Sequence, residues 1–141
     1  MSPDYTRYQT LDIQCTGGIA TLTLNQPDNR NAVVAEMHAE LESVWRDLAS
    51  DRAVNVVVFT GAGKTFSAGG DIKRMAARYG SEEGWDYSLH IPAATHRLFN
   101  GMLDIPQPVI AAVNGDAVGL GATLALFSDV AIISESAKFG D

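Results

Sequence analysis

The chain has few of the residues that mark disulfide-bonded, membrane-spanning or nucleic-acid-binding proteins. Its single cysteine, Cys15, can form neither an intramolecular disulfide nor a zinc cluster. Lys and Arg number 10 against 17 Asp and Glu, and this net charge of -7 argues against a nucleic-acid partner, which needs a basic face. No apolar run approaches the roughly 20 residues of a membrane span, and residues 1–9 contain no apolar signal-peptide core. These absences predict a cytoplasmic protein with no membrane partner.

The composition is that of a globular domain, and the first pattern along it is a β-hairpin. The 141 residues are 46% hydrophobic and 19% charged, which allows a core of useful size. Apolar and polar residues alternate from Leu11 to Cys15 and again from Ala20 to Leu24, on either side of Gly17-Gly18. Two such runs around a glycine pair predict a hairpin, with Cys15 in the core rather than acting as a nucleophile.

Helical spacing and short β-branched runs alternate along the rest of the chain. The predicted helices cover 34–48, 71–79, 85–103 and the segment through 127, and the predicted strands cover 54–59, 109–113 and 130–133. The first two of these strands are apolar enough to be covered on both faces of a sheet. Strands that alternate with helices predict an α/β layered fold without an internal linker.

Several familiar nucleotide and nucleophile motifs fail on inspection. Gly61 to Thr65 suggests a phosphate-binding loop, but Val58 stands where the first glycine of that motif belongs. The dinucleotide fingerprint fails because Phe66 replaces its third glycine. Ser67 is not in a nucleophile elbow, since Thr65 replaces the first glycine of that motif.

The charged and imidazole side chains give weaker signals. No metal site is predicted, because no ligand-like spacing relates the three histidines, which are His38, His90 and His96. Four basic residues lie close together in sequence and admit two interpretations, a local patch for a small anionic ligand or a solvated helix face. They are Lys64, Lys73, Arg74 and Arg78.

One geometry occurs twice: a buried strand, a glycine-rich loop and a helix. The first loop holds Ser67 to Gly70, and the second runs from Gly115 to Gly121. The first N–H groups of a helix have no intrahelical partner, and glycine lets a ligand approach the backbone closely. Two such helix starts that face one another can hold an oxyanion between two amides. The alternative is that both loops are ordinary tight turns.

Two sequence signatures resemble those of the crotonase family, also called the enoyl-CoA hydratase/isomerase family. Residues 64–73 resemble its first signature, and 108–115 resemble the start of its second, which continues to Gly140. Pro27 with Asn31-Ala32 resembles its early coenzyme A loop. The resemblance covers residue 11 to the end, and it implies a crotonase-like fold of repeated ββα units.

The resemblance implies an acyl-CoA substrate whose thioester oxygen binds between the backbone N–H groups of Gly70 and Leu120. The family usually has glycine at the second position, so the Leu120 side chain is expected to narrow the acyl pocket. No separate cofactor is implied, because coenzyme A is part of the substrate, and the expected assembly is a homotrimer or hexamer. The residues implied to bind the substrate are Arg30, Ala32, Ala68, Gly69, Asp71, Ile72, Lys73, Gly119 and Thr123.

The general base is where the chain departs from the family. Hydratases have a glutamate where this chain has Thr123, and their second glutamate falls at what would be position 143, beyond Asp141. Three interpretations remain open: a hydratase or isomerase, another acyl-CoA reaction such as thioester hydrolysis or decarboxylation, and a non-catalytic acyl-CoA-binding module. Family members are nearly twice this long, so residues 1–141 are expected to be the N-terminal part of the catalytic domain and inactive alone.

Overall fold

Strands and helices alternate along residues 2–140, the part of the chain that the computed structural model describes. The strands are β1 (Leu11–Thr16), β2 (Ile19–Leu24), β3 (Val56–Gly61), β4 (Thr65–Ser67), β5 (Val109–Val113), β6 (Asp116–Val118), β7 (Val130–Ile133) and β8 (Phe139–Gly140). The helices are α1 (Ala35–Ser50), α2 (Ile72–Arg78), α3 (Glu82–Asp104) and α4 (Leu120–Leu126), with 3-10 turns at Tyr5–Arg7 and Pro27–Asn29. This order confirms the predicted α/β class.

Two sheets organise these elements. The larger sheet has the order β1-β2-β3-β5-β7, in which β1 and β2 form the predicted antiparallel hairpin and the other neighbours are parallel. The smaller sheet has the order β4-β6-β8 and is parallel. Its strands are two or three residues long, too short to leave a period-2 pattern, and for that reason the sequence predicted loops there.

The core lies where α1 crosses the larger sheet. Leu41 and Leu48 on α1 are fully buried, as the predicted helical stripe requires, and Trp45 beside that stripe is fully buried as well. The Trp45 ring meets Phe59 edge to face at 5.6 Å between centroids, and Phe59 meets Phe66 in the same way at 5.2 Å. Such pairs add about 0.5–1.5 kcal/mol each beyond burial of their area. This aromatic chain fixes β4 relative to α1 and β3, and so positions the loop that follows β4.

The prediction that Cys15 lies in the core is wrong. Burial along β1 falls from Leu11, which is buried, to Cys15, which is exposed. The cause is that β1 is the edge strand of the larger sheet: alternation selects one face of the strand, but no described residue covers that face at the Cys15 end. Residual desolvation, and to a lesser extent the Asp51 carboxylate, raise the pKa of the Cys15 thiol, which disfavours the reactive thiolate.

Several apolar side chains on α2, α3 and β7 face outward. Ile72 at the start of α2 and Tyr79, the residue that follows its end, are 73% and 93% exposed, although the sequence pattern marks them as a helical stripe. Trp85 near the start of α3 is 70% exposed, and every residue of β7 is exposed. The predicted helices and strand are therefore present, but the described residues leave these apolar faces uncovered.

Membrane-spanning helices and clusters of metal-ligating side chains are two further features to consider in the described residues. Between residues 2 and 140, no helix is both long and apolar enough to cross a membrane. Within the same range, no group of His, Cys, Asp and Glu side chains is arranged to hold a metal ion. His90 and His96 lie exposed on α3, as ordinary surface residues do.

Asn31 fastens the loop before α1 to the loop before β4. Its side chain is fully buried, and its Oδ1 accepts a hydrogen bond from the Gln26 N–H at 2.9 Å. Its Nδ2 donates to the carbonyl oxygens of Ala62 at 2.9 Å and Thr65 at 2.8 Å. The backbone has a φ of +53°, in the left-handed region that asparagine tolerates better than most residues.

Asn31→Ala should lower the free energy of unfolding by about 2–4 kcal/mol, because it removes the donor to the buried Thr65 carbonyl and the partly buried Ala62 carbonyl and adds left-handed strain. Asn31→Gly avoids the left-handed strain but does not restore the side-chain hydrogen bonds, so it should recover only part of the lost stability. Asn100→Ala, at an exposed position on α3, is the control and should stay within about 0.5 kcal/mol of the parent. Guanidinium denaturation measures all three, and equal stability of the Asn31 and Asn100 variants would contradict the role of Asn31.

Candidate active site

The pairing of β4 with β6 places the two glycine-rich loops side by side. The strands run parallel, with Thr65 opposite Asp116 and Ser67 opposite Ala117. The segments that follow them therefore leave the same edge of the small sheet in the same direction. Val33 lies beside the first of these segments and forms a parallel bridge with Gly70, in which the Val33 N–H donates to the Gly69 carbonyl at 2.7 Å.

Glycine is required where these loops touch. Gly69 has a φ of +84°, and a Cβ there would collide with the Val118 carbonyl oxygen and lie 3.3 Å from the Leu120 nitrogen. A Cβ on Gly121 would lie 2.6 Å from the Ser67 carbonyl oxygen. The backbone after β4 and the backbone after β6 are thus in direct contact, and any side chain at these two glycines would push them apart.

Two backbone N–H groups at this contact are unpaired, although their neighbours are engaged. Ala68 donates to the Arg30 carbonyl at 3.0 Å, and Gly119 donates to the Gly140 carbonyl at 3.0 Å. By contrast, no acceptor among residues 2–140 pairs with the N–H of Gly70 or of Leu120. Leu120 is the first residue of α4, where the helix itself supplies no acceptor. The site therefore presents two free donors from adjacent loops.

Both donors open into a cleft of 640 Å³ between α1, α2 and α3, here called the central cleft. Ile72, Met75 and Ile91 supply an apolar wall beside Gly70 and Leu120. The lining also includes polar side chains from α1 and α3, which are His38, Glu42 and Thr95. A carbonyl group in this cleft can reach backbone donors while its substituent lies against hydrocarbon.

A second cleft of 790 Å³, here called the basic cleft, continues from the central one. Ala68, Gly70, Asp71, Ile72 and Arg74 line both. The basic cleft adds three further residues that the family resemblance named, which are Arg30, Ala32 and Lys73. Most of the substrate-binding residues expected from the sequence therefore lie around one continuous depression.

Two of the expected substrate-binding residues lie outside both clefts. Gly69 is buried beneath them, where it spaces the two loops. The hydroxyl of Thr123 on α4 donates to the Gly119 carbonyl at 3.2 Å, which supports the loop rather than lining the cleft.

The four basic residues that cluster in sequence do not form one patch. Arg78 pairs with Glu83 at 2.7 Å, and Arg74 lies 4.0 Å from Glu36. Lys73 forms no ion pair among the described residues and lies in the basic cleft. Lys64 lies in the loop between β3 and β4, outside both clefts. Lys73 is thus the cation of this group that is most available to an anionic ligand.

Sequence reasoning missed a polar chain in the wall of the central cleft. The Nδ1 atom of His38 lies 3.1 Å from a carboxylate oxygen of Glu42, and the other oxygen accepts from Arg97 Nε at 2.7 Å. His38 is 8% exposed, and its Nε2 is buried with no hydrogen-bond partner among the described residues. The signal was the spacing of His38 and Glu42, four residues apart on one face of α1.

Two alanine substitutions distinguish the stability cost of disturbing the loop contact from the cost of backbone strain. Gly80 also has positive φ, +75°, but a Cβ there would have no neighbour within 4 Å. Gly80→Ala should therefore cost only the left-handed penalty, about 1–2 kcal/mol. Gly69→Ala adds a collision with a backbone carbonyl and should cost about 2–5 kcal/mol in all. Equal unfolding free energies for the two variants would show that the loops do not touch at Gly69.

The sequence matches a known family over nearly its whole length. The profile of the family described as enoyl-CoA hydratase/isomerase matches residues 14–141. A putative enoyl-CoA hydratase of Thermus thermophilus is 40% identical over 126 residues, which cover 88% of this chain and 48% of that protein. The 1,2-epoxyphenylacetyl-CoA isomerase of Escherichia coli is 39% identical over 123 residues, which cover 86% of this chain and 46% of that protein.

Solved structures show the same relation. A putative enoyl-CoA hydratase of Streptomyces coelicolor superposes with a TM-score of 0.85 at 33% identity, covering 99% of this chain and 50% of that one. An enoyl-CoA hydratase/carnithine racemase of Magnetospirillum magneticum gives 0.84 at 33% identity, covering 94% and 49%. The chain spans about half the length of these relatives. With this match in sequence and fold, the chain belongs to the enoyl-CoA hydratase/isomerase family and has the crotonase fold.

Proposed function

We propose that residues 1–141 form the N-terminal, acyl-CoA-binding part of an enzyme that stabilises a thioester enolate between the N–H groups of Gly70 and Leu120. The observation that carries this proposal is a pair of backbone donors on adjacent loops that line the central cleft and have no acceptor among the described residues. The substrate class follows from family membership, since the matched relatives are named for CoA thioesters.

The two donors act on the charge that develops during the reaction. When a proton leaves the carbon beside the thioester, or when a nucleophile adds to an enoyl group, negative charge moves onto the thioester oxygen. Preorganised N–H groups at hydrogen-bonding distance stabilise that charge without rearranging, and each such donor contributes about 10²–10³ in rate. The β4–β6 pairing and the glycine contact hold these donors in place before substrate arrives.

The basic cleft is the place for the coenzyme A end. Lys73 has no ion-pair partner among the described residues, and it stands two positions after the Asp71 cap of α2. Arg30, which also pairs with Asp116 at 3.2 Å, and the backbone of Ala32 border the same cleft. Phosphates bound in the basic cleft are separated from the thioester oxygen at Gly70 by a single loop.

The threonine at position 123 bears on which reaction of the family is favoured, hydration or isomerisation. A hydratase of the two-glutamate type needs a carboxylate at this position, and a threonine hydroxyl cannot act as that base near neutral pH. One-base chemistry such as isomerisation is therefore the second candidate, and a relative named enoyl-CoA delta isomerase 2, from Rattus norvegicus, is 34% identical over 124 residues. A carboxylate at position 143 of the complete protein would favour the isomerase, and a non-ionisable residue there would favour other chemistry or a binding module.

Assembly as a homotrimer or hexamer and a cytoplasmic location stay predictions.

Position 120 tests the oxyanion donor. Leu120→Gly keeps the N–H and should retain substantial turnover, whereas Leu120→Pro deletes it and should lower turnover by about 10²–10³. Proline is tolerated at the first position of a helix, and Gly119 before it has no side chain to clash with the ring. The assay uses the complete protein with its preferred thioester, and circular dichroism checks the fold. A folded Leu120→Pro protein as fast as the parent would eliminate this amide as a donor.

Lys73 tests the coenzyme A end. Lys73→Ala should weaken acyl-CoA binding modestly and flatten its salt dependence, because an exposed charge contact is worth less than about 1 kcal/mol and is screened by salt. Lys64→Ala removes the same charge outside both clefts and is the matched control. Calorimetric titration at two salt concentrations measures both variants. An identical salt slope for the two would argue against a phosphate contact at Lys73.

A further inference from the structure

We infer that His38 is the general base of this enzyme, and that Glu42 is the positioning residue that holds its imidazole. The Nε2 atom of His38 takes a proton from the acyl carbon beside the thioester while the N–H groups of Gly70 and Leu120 hold the thioester oxygen. This inference rests on the proposed function, because the thioester must first be bound at the two donors. It assigns the proton transfer that Thr123 cannot perform.

Three of the described side chains that line the central cleft can accept a proton near neutral pH, and these are His38, Glu42 and Asp71. Both carboxylate oxygens of Glu42 are engaged, Oε1 with His38 Nδ1 at 3.1 Å and Oε2 with Arg97 Nε at 2.7 Å. The Oδ1 atom of Asp71 accepts the Arg74 N–H at 3.1 Å as the cap of α2. His38 is the member of this set that has a ring nitrogen with no hydrogen-bond partner among the described residues.

The hydrogen bond to Glu42 fixes which nitrogen of His38 carries the proton. An ionised carboxylate can only accept, so the proton between the two groups lies on Nδ1. In the neutral imidazole Nε2 then has a lone pair that can accept a proton. Once it has done so, the Glu42 carboxylate lies against the positive charge of the imidazolium, and Arg97 holds that carboxylate from α3. A histidine that a carboxylate orients through Nδ1 is a recurring arrangement for a general base.

The Nε2 atom is buried in the free protein, although His38 lines the same cleft as Gly70 and Leu120. A buried polar atom without a hydrogen-bond partner is rare in folded proteins, and a catalytic role is one of the reasons for which it is retained. Contact with the acyl group requires the side chains that cover Nε2 to shift when substrate enters. Catalytic contacts of this kind are often incomplete in a free enzyme and form only with substrate. The acyl carbon then brings to Nε2 the proton that this atom is placed to accept.

The resulting reaction balances without a further reactant. In a 3-enoyl thioester the C2–H bond breaks, its proton forms an N–H bond at Nε2, and its electron pair moves into a dienolate whose charge lies on the thioester oxygen. The imidazolium then gives the proton to C4, the double bond moves between C2 and C3, and His38 is neutral again. This is isomerisation by a single base, which needs no carboxylate at position 123.

His38→Gln in the complete protein tests the base, because glutamine is polar but has no basic nitrogen. Conversion of but-3-enoyl-CoA into but-2-enoyl-CoA, followed by the ultraviolet absorbance of the conjugated product, should fall by about 10²–10⁴, the usual contribution of a general base. Calorimetric affinity for butyryl-CoA, which cannot isomerise, should stay within about twofold of the parent, because the base acts on the transition state. His96→Gln, at an exposed position of α3 outside both clefts, is the matched control and should change neither quantity.

Glu42→Gln is a second variant, which leaves the imidazole in place and removes the charge that stabilises the imidazolium. It should lower conversion by a smaller factor than His38→Gln and leave the affinity for butyryl-CoA unchanged. Circular dichroism checks the fold of each variant, and Glu42→Gln carries the test alone if His38→Gln does not fold. Conversion at the parent rate by Glu42→Gln would contradict the positioning role of Glu42.

The outcomes separate this inference from the function on which it rests. If His38→Gln converts but-3-enoyl-CoA as fast as the parent, the base lies elsewhere, such as a carboxylate at position 143, and the oxyanion site stands. A parallel loss of conversion and of affinity would show that His38 only supports the cleft, which also overturns the inference. If the parent binds butyryl-CoA but converts no but-3-enoyl-CoA, the base assignment fails and acyl-CoA binding stands. If the parent binds no acyl-CoA, both fail.

Discussion

The close approach of two backbone loops is the constraint on which the rest of this site depends. Gly69 lies against the Val118 carbonyl and Gly121 lies against Ser67, so the chain after β4 and the chain after β6 share one small space. Residues with side chains do not fit at these glycines. The approach has an electrostatic consequence, because it brings to one cleft two N–H groups that have no acceptor among residues 2–140, in a region where neighbouring amides are hydrogen-bonded.

Much of the remaining structure holds that approach in place. The aromatic chain from Trp45 through Phe59 to Phe66 locks β4 against the main sheet. Asn31 ties the preceding loop to the same region, and Asn114 accepts from the Gly61 N–H at 3.2 Å while donating to the Gly63 carbonyl at 3.1 Å. Asn31 is fully buried, and a buried amide with several partners is costly to disrupt, which makes it a suitable support for a preorganised site.

The sequence predicted the elements whose signal lies in side-chain periodicity. The hairpin, α1 and the limits of β5 follow from runs long enough to repeat. Side-chain periodicity does not show what packs around an element. Alternation predicted a buried face for Cys15, but the edge position of β1 leaves this residue exposed. Gly70 and Leu120 were identified only through the family signatures, because a backbone donor has no side chain to mark it, and their catalytic roles stay predictions. His38 was missed because its spacing from Glu42 indicates at most a hydrogen-bonded pair on α1, whereas the burial of its Nε2 atom is visible only in the structure.

The most direct measurement is the amide resonance of each proposed donor, followed by ¹H–¹⁵N NMR of the complete protein. Titration with an acyl-CoA thioester should move the Gly70 and Leu120 amide protons downfield, because each N–H gains a carbonyl acceptor, and neither has one among the described residues of the free protein. A thioether analogue of the same length occupies the clefts without offering that oxygen, and should leave both resonances near their free positions. Equal shifts with thioester and thioether, or shifts at neighbouring amides alone, would contradict an oxyanion site at these two residues.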